Sequence, residues 1–328
     1  MDNGKVKTID DVARELRLSK STVSRAISGK GRISADTRQK VLDYIEKSNY
    51  RPNPLARGLS ESRTYNVGWV VPGDDHMTSL YFYQRCLQGV INTAVKADYD
   101  VLITTIGEGD ISGLKRITEN HKVDGVILGR TLYKDAAIAY LKASRLPFVV
   151  VGSTDEPGVI QVDNDHISAC RELASILKMK GVKRVAFIGG DTELVVTDSR
   201  LKGFKEGMSG VRTQIFMDCD DYEKVKRAVA ETVSGSADCI VCEDDRICQM
   251  VMESLKDLEV EVPSGIKVAS FYDSKLLENY KPQITALKYD PLELGMRACE
   301  TLMDVINGKK TEKRQLLGYE VTLKGSTQ

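Results

Sequence analysis

Apolar positions near the N-terminus recur with helical spacing in three short blocks. Ile9, Val12, Ala13 and Leu16 fall at i, i+3, i+4 and i+7, one face of a helix. Thr8 before them is suited to cap that helix, with Asp11 as the acid of a capping box. Arg17-Leu18 reads as a turn and Ser19 as the cap of a second helix. There Val23, Ala26 and Ile27 make an apolar stripe, and Lys20, Ser21, Ser24, Arg25 and Ser28 lie on the opposite face. Two glycines between Gly29 and Arg32 interrupt the pattern. Ser34 then starts a third helix whose Val41, Leu42 and Ile45 complete a miniature core, ended before Pro52. A short turn between two short helices is the spacing that lets the second enter a major groove while the first braces it. Amphipathic spacing alone fits a small helical interaction module with solvated charges equally well.

Asn53-Pro54-Leu55-Ala56-Arg57-Gly58-Leu59 reads as an N-cap, a proline at the first helical position and one or two turns. So short a helix is marginal alone, because nucleation costs more than a few backbone bonds return. The polar run Ser60 to Thr64 reads as a tether. From Asn66 onward the period changes. Strand-like runs at Asn66–Val71, Val101–Ile106, Gly125–Leu128 and Phe148–Val151 alternate with helical stretches, the first around Phe82–Ala97. After Asp163 the pattern restarts with Val185–Ile188, Gln214–Met217, Cys239–Cys242 and Lys267–Ser270. The fold class expected is α/β: an all-α head followed by two doubly wound lobes with parallel sheets. Ligands in such sheets bind beyond the strand C-termini, and two facing lobes make a cleft there.

Charge sharpens this division. The 328 residues carry no formal net charge, yet residues 1–64 hold 14 Lys+Arg against 8 Asp+Glu, and the remainder 33 against 39. A basic head on an acidic body points to a polyanion as the partner of the head alone. No apolar run approaches the roughly 20 residues of a membrane helix and the N-terminus lacks an apolar signal core, so a cytoplasmic protein is expected. Seven scattered cysteines read as buried thiols; Cys239 and Cys242 form a CxxC, but on a strand they point to opposite faces. No metal and no cofactor are expected, since no second Cys pair or nearby His completes a zinc set and no strand is followed by GxGxxG or GxxxxGK[ST]. None of His76, His121 and His166 sits in a hydrolase motif, so no enzyme is expected.

Specific residues carry a resemblance. Thr8-Ile-Asp-Asp-Val-Ala13, Ser19-Lys-Ser-Thr-Val-Ser-Arg25, Ile33-Ser-Ala-Asp-Thr-Arg38 and Tyr50-Arg-Pro-Asn53 closely resemble the head of the LacI/GalR family of bacterial transcription regulators. Val67-Gly-Trp-Val-Val-Pro72, Val123-Asp-Gly-Val-Ile127, Val162-Asp-Asn164, Arg200-Leu-Lys-Gly-Phe204 and the closing Val321 to Thr327 extend it more weakly to the end. The resemblance implies a repressor that binds a pseudo-palindromic double-stranded DNA operator as a homodimer under control of a small-molecule effector, a sugar. A family member that needs a co-repressor or protein partner is the alternative, and a cytoplasmic solute-binding protein a more distant one. The domains implied are a head over 1–51, a hinge over 52–64 and an effector-binding body over 65–328. Its first lobe is placed at 65–162 and 291–323 and its second at 163–290, with crossings near Asp163, Tyr272 and Asp290.

Position by position, the resemblance makes Lys20 and Ser21 the pair that chooses bases, with Thr22, Ser24 and Arg25 on phosphates or bases. The DNA-binding set is then Thr8, Ser19, Lys20, Ser21, Thr22, Ser24, Arg25 and Ser28, joined in the hinge by Asn53, Leu55, Ala56 and the minor-groove wedge Leu59. Asp163, Arg200, Asp244, Asp273 and Tyr289 match effector contacts, and Tyr222 an aromatic stacking position. Such a set suits a polyol: carboxylates accept from hydroxyls, Arg donates a fork and a ring covers the sugar face. Three departures stand out. Leu16-Arg17 replaces a small residue and Gly in the turn, Asp244-Asp245 replaces Asn-Asp, and Phe271-Tyr272-Asp273-Ser274 replaces Gly-aromatic-Asp-Asp. The extra carboxylate makes a neutral or cationic ligand the expectation over a phosphorylated one.

Overall fold

The protein was analysed as a computed structural model, which describes residues 8–29, 31–48, 50, 58, 61–73, 81–107 and 109–328. The chain forms two compact units, 1–64 and 65–328. The head holds α1 (Ile9–Leu16), α2 (Lys20–Ser28) and α3 (Ala35–Ser48). Thr8 accepts from the Asp11 amide while the Asp11 carboxylate accepts from the Thr8 amide at 2.9 Å, the reciprocal capping box read from sequence. Arg17 ends α1 in the left-handed region (φ 55°), at a cost of about 1 kcal/mol for a residue with a Cβ. Val12, Ala13, Val23, Ala26, Val41 and Tyr50 form the buried core, flanked by Ile9, Leu16, Ile27, Tyr44 and Ile45. Leu42, expected in that core, is 41% exposed. Val41, Tyr44 and Ile45 already occupy the inward stripe of α3, and Leu42 lies about 100° away from Val41 around the axis.

The body contains two six-stranded sheets. The first is built from β1 (Asn66–Pro72), β2 (Asp100–Ile106), β3 (Gly125–Leu128), β4 (Phe148–Val151), β5 (Gln161–Asn164) and β11 (Arg314–Leu317), all parallel, in the order β11-β5-β4-β3-β1-β2. Strand alternation explains why both faces are covered. Val67, Trp69 and Val71 pack on α4 (Tyr81–Lys96) and α11 (Pro291–Ile306), whereas Val70 faces the layer of α5 (Ser112–Glu119) and α6 (Ala136–Ser144). α4 and α11 cross at glycine: a Cβ on Gly295 would lie 2.0 Å from the Cys86 carbonyl oxygen, and one on Gly89 2.1 Å from that of Leu292.

The second sheet runs β12-β10-β9-β8-β6-β7, from β6 (Arg184–Ile188), β7 (Arg212–Phe216), β8 (Cys239–Cys242), β9 (Lys267–Ser270), β10 (Thr285–Lys288) and β12 (Glu320–Thr322). α7 (His166–Met179) and α8 (Val195–Gly207) cover one face, α9 (Tyr222–Ser234) and α10 (Asp245–Asp257) the other. Cys239 belongs to the first of these layers and Cys242 to the second, the opposed faces that strand geometry demanded; all seven cysteines are buried free thiols.

Two sequence boundaries need correction. β12 pairs antiparallel with β10, so the closing segment joins the second lobe at 320 and the first lobe's return ends with Leu317, not near 323. The third crossing therefore falls at Gly318-Tyr319, and Tyr272 sits beyond β9 inside the second lobe. The cause is register: Ala286 to Lys288 on the sheet edge pair with Glu320 to Thr322 only two residues after β11 ends.

Candidate functional site

Two sites emerge, one on each unit. On the head, Ser19 accepts from the Thr22 amide and starts α2, and its hydroxyl also meets those of Ser21 and Thr22 at 2.8 Å. Ser24 and Arg25 are exposed on the helix face away from Val23 and Ala26. Lys20 is exposed as well, but its ammonium rests 2.5 Å from Asp10 of α1. Exposed pairs of this kind are worth under about 1 kcal/mol, so a base or phosphate can displace Asp10. Thr8 is committed to its cap. The side chain of Ser28, and Asn53, Leu55, Ala56 and Leu59 of the expected hinge, lie outside the described residues.

One head feature went unassigned from sequence. Gly29, Gly31, Arg32, Ser34, Arg38 and Gln39 line a shallow hollow at the start of α3, where Ser34 accepts from the Thr37 amide. Two guanidinium groups beside a helix N-terminus make a place for a phosphate. The signal in the sequence is the Ser34-to-Arg38 run, a capping hydroxyl followed one helical turn later by a cation.

In the body, the strand C-termini of both sheets meet at a polar boundary. Asp163, at the end of β5, accepts from the Ser153 hydroxyl (2.7 Å) and the Asn164 amide (2.8 Å), and lies 3.4 Å from His166 Nε2. Burial alone would push its carboxyl up; His166, Ser153 and the Asn164 amide outweigh that and hold it below the ordinary carboxylate range. Arg200, on α8, lies 3.8 Å from Glu243, whose carboxylate also accepts from Thr197 (2.7 Å) and the Gly190 amide (2.5 Å). Burial pulls the Arg200 guanidinium towards neutrality, and Glu243 reverses this to hold it charged. The Glu243 carboxyl is itself pushed up by burial, against the pull of Arg200.

Rings roof this cluster. His166 meets Tyr289 edge-on at 4.9 Å, Tyr289 and Tyr272 lie nearly parallel at 6.2 Å, and Tyr272 meets Phe82 of α4 at 6.2 Å. Arg200 Nε, His166 Nδ1 and Asn164 Oδ1 are buried with no hydrogen-bond partner, and Tyr289 Oη faces only a thiol, that of Cys170. Unsatisfied buried groups are costly, so a cluster of them marks where a polar ligand belongs.

The structure thus gathers Asp163, Arg200 and Tyr289, and adds Glu243, Tyr272 and His166, which sequence reasoning passed over. Their signal was position directly after strands. The other expected residues are otherwise engaged. Asp244 caps α10 by accepting from the Ile247 amide at 2.8 Å, and Asp273 pairs with Lys324 at 2.9 Å. Tyr222 donates to Asp257 of α10 (2.9 Å) beneath Lys226, whereas the rings beside Asp163 and Arg200 are those of Tyr272 and Tyr289. Asp245, next to Asp244, is pushed up to about 6 by burial and then by that neighbour's charge. The lobes also touch directly: Leu132 and Leu194 form an antiparallel bridge, the Tyr133 amide donates to the Glu193 carbonyl (3.1 Å) and the Val195 amide to that of Thr131 (3.3 Å).

Among the described residues no group of His, Cys, Asp and Glu could hold a metal ion, and no helix is long and apolar enough to cross a membrane. Comparison with known proteins agrees with both units. The model of bacterial regulatory proteins of the lacI family matches residues 8–53, and that of the periplasmic binding protein-like domain matches 174–327. Catabolite control protein A of Staphylococcus xylosus is 30% identical over 331 residues, spanning 98% of this chain and 99% of its own. The lac repressor dimer bound to operator and the anti-inducer ONPF superposes with a TM-score of 0.81 at 20% identity, covering 98% of this chain and 99% of its own. The CelR–cellobiose complex gives a TM-score of 0.72 at 24% identity, over 98% of this chain and 99% of its own. With its helix-turn-helix head and two-lobed body, the chain belongs to the lacI family of bacterial regulatory proteins and is a DNA-binding transcriptional regulator, not an enzyme.

Proposed function

We propose that the protein is a cytoplasmic homodimeric repressor that holds a pseudo-palindromic operator through α2 of two heads and releases it when a sugar enters the cleft of the body. The observation that carries the effector half is the set of buried, unpartnered polar atoms on Arg200, Tyr289, His166 and Asn164 around Asp163. Asp163 accepts from sugar hydroxyls, Arg200 Nε donates to a ring or hydroxyl oxygen, and Tyr272 and Tyr289 cover the apolar face of the ring. Lys20 and Ser21 read base edges, and Thr22, Ser24 and Arg25, with Arg32 and Arg38, fix the helix on phosphates.

Dimerisation is supported by an apolar strip on the first lobe. Ile91 and Val95 are exposed at i and i+4 on α4, and Ile103 is exposed on β2, an edge strand of the first sheet. An open edge strand beside apolar helix positions is covered in solution, and a second copy supplies an identical strip. Two bodies joined there present two heads to the two half-sites of one operator, with Leu59 as the residue assigned to the minor groove. Effector binding, by changing the relation of the lobes, separates the pair.

Selection of bound fragments from genomic DNA, followed by titration of the selected operator with and without sugars, tests this reading. A sugar that weakens operator binding supports it. Tightening identifies a co-repressor instead, and selected fragments without a pseudo-palindrome overturn the dimeric operator.

A further inference from the structure

Arg200 is not the sole buried guanidinium in the body. Arg130 follows β3 and is 9% exposed. One terminal nitrogen donates to the Gly107 carbonyl at 3.3 Å, and Nε has no partner. Among the described residues Arg130 forms no ion pair, whereas Arg200 has Glu243. A buried cation without an anion is unfavourable by several kcal/mol, and a guanidinium presents a planar fork matched to carboxylate and phosphate.

Its neighbours in sequence place Arg130 at the edge of the first sheet where the two lobes touch. The next residue, Thr131, accepts from the Val195 amide of the opposite lobe, and Leu132 bridges to Leu194. Thr131 also lies against Gly152, where a Cβ would come 3.0 Å from its hydroxyl, and the neighbouring Ser153 donates to Asp163. Arg130 therefore sits at the C-terminal edge of the first sheet, on the lobe that carries Asp163. The carboxylates Glu243, Asp244, Asp245 and Asp273 belong to the other lobe, where Glu243 is offset by Arg200 and Asp273 by Lys324.

We propose that Arg130 binds an anionic group of the effector, so that the regulator answers to an acidic sugar, carrying a carboxylate or a phosphate, rather than to a neutral one. This rests on the cleft being the effector site. The sugar ring lies between Asp163 and the tyrosines, with its acidic substituent turned to the first lobe. The single tryptophan, Trp69, is a built-in reporter: its ring edge lies 3.4 Å from where a Cβ on Gly129 would stand, next to Arg130.

The test is calorimetric titration of the full chain, with Trp69 fluorescence in parallel. The probes are glucose and galactose, their uronates, their 6-phosphates and inorganic phosphate, each against wild type, Arg130→Gln and Arg130→Lys. A charged hydrogen bond of this kind is worth roughly a ten- to hundredfold preference for an acidic sugar over its neutral parent. Arg130→Gln removes that preference and Arg130→Lys keeps part of it; the uronate and phosphate arms say which acid is recognised. Neutral sugars binding as tightly as acidic ones overturn the role of Arg130 and leave the sugar reading standing. Inorganic phosphate binding as tightly as a sugar phosphate, with loss in Arg130→Gln, keeps the anion site and overturns the sugar reading. A preference that survives Arg130→Gln, or no binding by any probe, rejects the proposal; the wild-type comparison holds even if a variant misfolds.

Discussion

Replacing Glu243 by Gln isolates one charge at the centre of the body. Glu243 is 3% exposed and Arg200 9%, with 3.8 Å between them. Gln keeps the size of the side chain and one oxygen that still accepts from Thr197 or Gly190, so the change is chiefly the loss of the anion facing Arg200. Breaking a buried pair by removing one partner costs roughly 3–5 kcal/mol. A separation near 4 Å is at the long end for such pairs, which places this one near about 3 kcal/mol. For a domain of this size each kcal/mol moves the melting temperature by roughly 2–4 °C, so Glu243→Gln lowers it by about 6–12 °C. The double variant Arg200→Met with Glu243→Leu removes both charges and recovers most of that loss. Differential scanning calorimetry of wild type, the single variant and the double variant reads all three. A single variant melting within about 2 °C of wild type, or a double variant no better than the single, would refute the claim that Glu243 serves to neutralise Arg200.

Three further outcomes are expected. The Asp245 carboxyl, pushed up to about 6, keeps a proton in the folded state that the unfolded chain has released above its ordinary value of 3.8. Its contribution to stability is therefore full below about pH 4 and lost as pH rises through about 6, and Asp245→Asn flattens that part of the stability curve from urea unfolding by up to about 3 kcal/mol; an unchanged curve excludes Asp245 as its source. Arg25→Ala weakens operator binding and lowers the slope of log affinity against log salt by about one phosphate contact, read by fluorescence anisotropy, whereas an unaltered slope removes Arg25 from the phosphate contacts. Cysteines at Leu132 and Leu194, oxidised across the bridge between the lobes, slow entry and exit of the best-binding sugar in stopped flow and regain normal rates on reduction; equal rates in both states would show that this contact does not gate the cleft.

Local chemistry made most of the architecture legible. The capping box at Thr8 and β3, β4, β8 and β9 to the residue were all available from apolar period and cap residues. β5, β10, β11 and β12 were not. Gln161–Asn164 and Arg314–Leu317 mix charged or polar residues with apolar ones, because one contributes to the cleft and the other is an edge strand. Edge strands need bury little, so periodicity weakens where a sheet ends. The transfer of Glu320–Thr322 to the second lobe depends on pairing with β10, far away in sequence, and no local signal encodes that.

The cleft posed a different problem, because residue type names a carboxylate without naming its partner. Asp244 read as an extra charge against phosphorylated ligands, yet its oxygen is spent on the Ile247 amide, where a helix N-terminus favours an anion. Asp273 read as a hydroxyl acceptor, yet Lys324 from the closing segment already sits on it. Glu243 carried no motif and turns out to be the anion that lets Arg200 stay charged in a buried place. Once each charge is matched to its neighbour, the number of carboxylates ceases to describe the cleft, and the residues left without counterparts describe it instead. Asp245 is one of these, and burial relieves it through protonation near pH 6. Arg130 is another: it is buried, its Nε has no hydrogen-bond partner, and no carboxylate among the described residues pairs with it. A buried guanidinium unmatched among the described residues favours an anion from outside, which is why we propose that the charge of the effector is read from the first lobe rather than the acidic second.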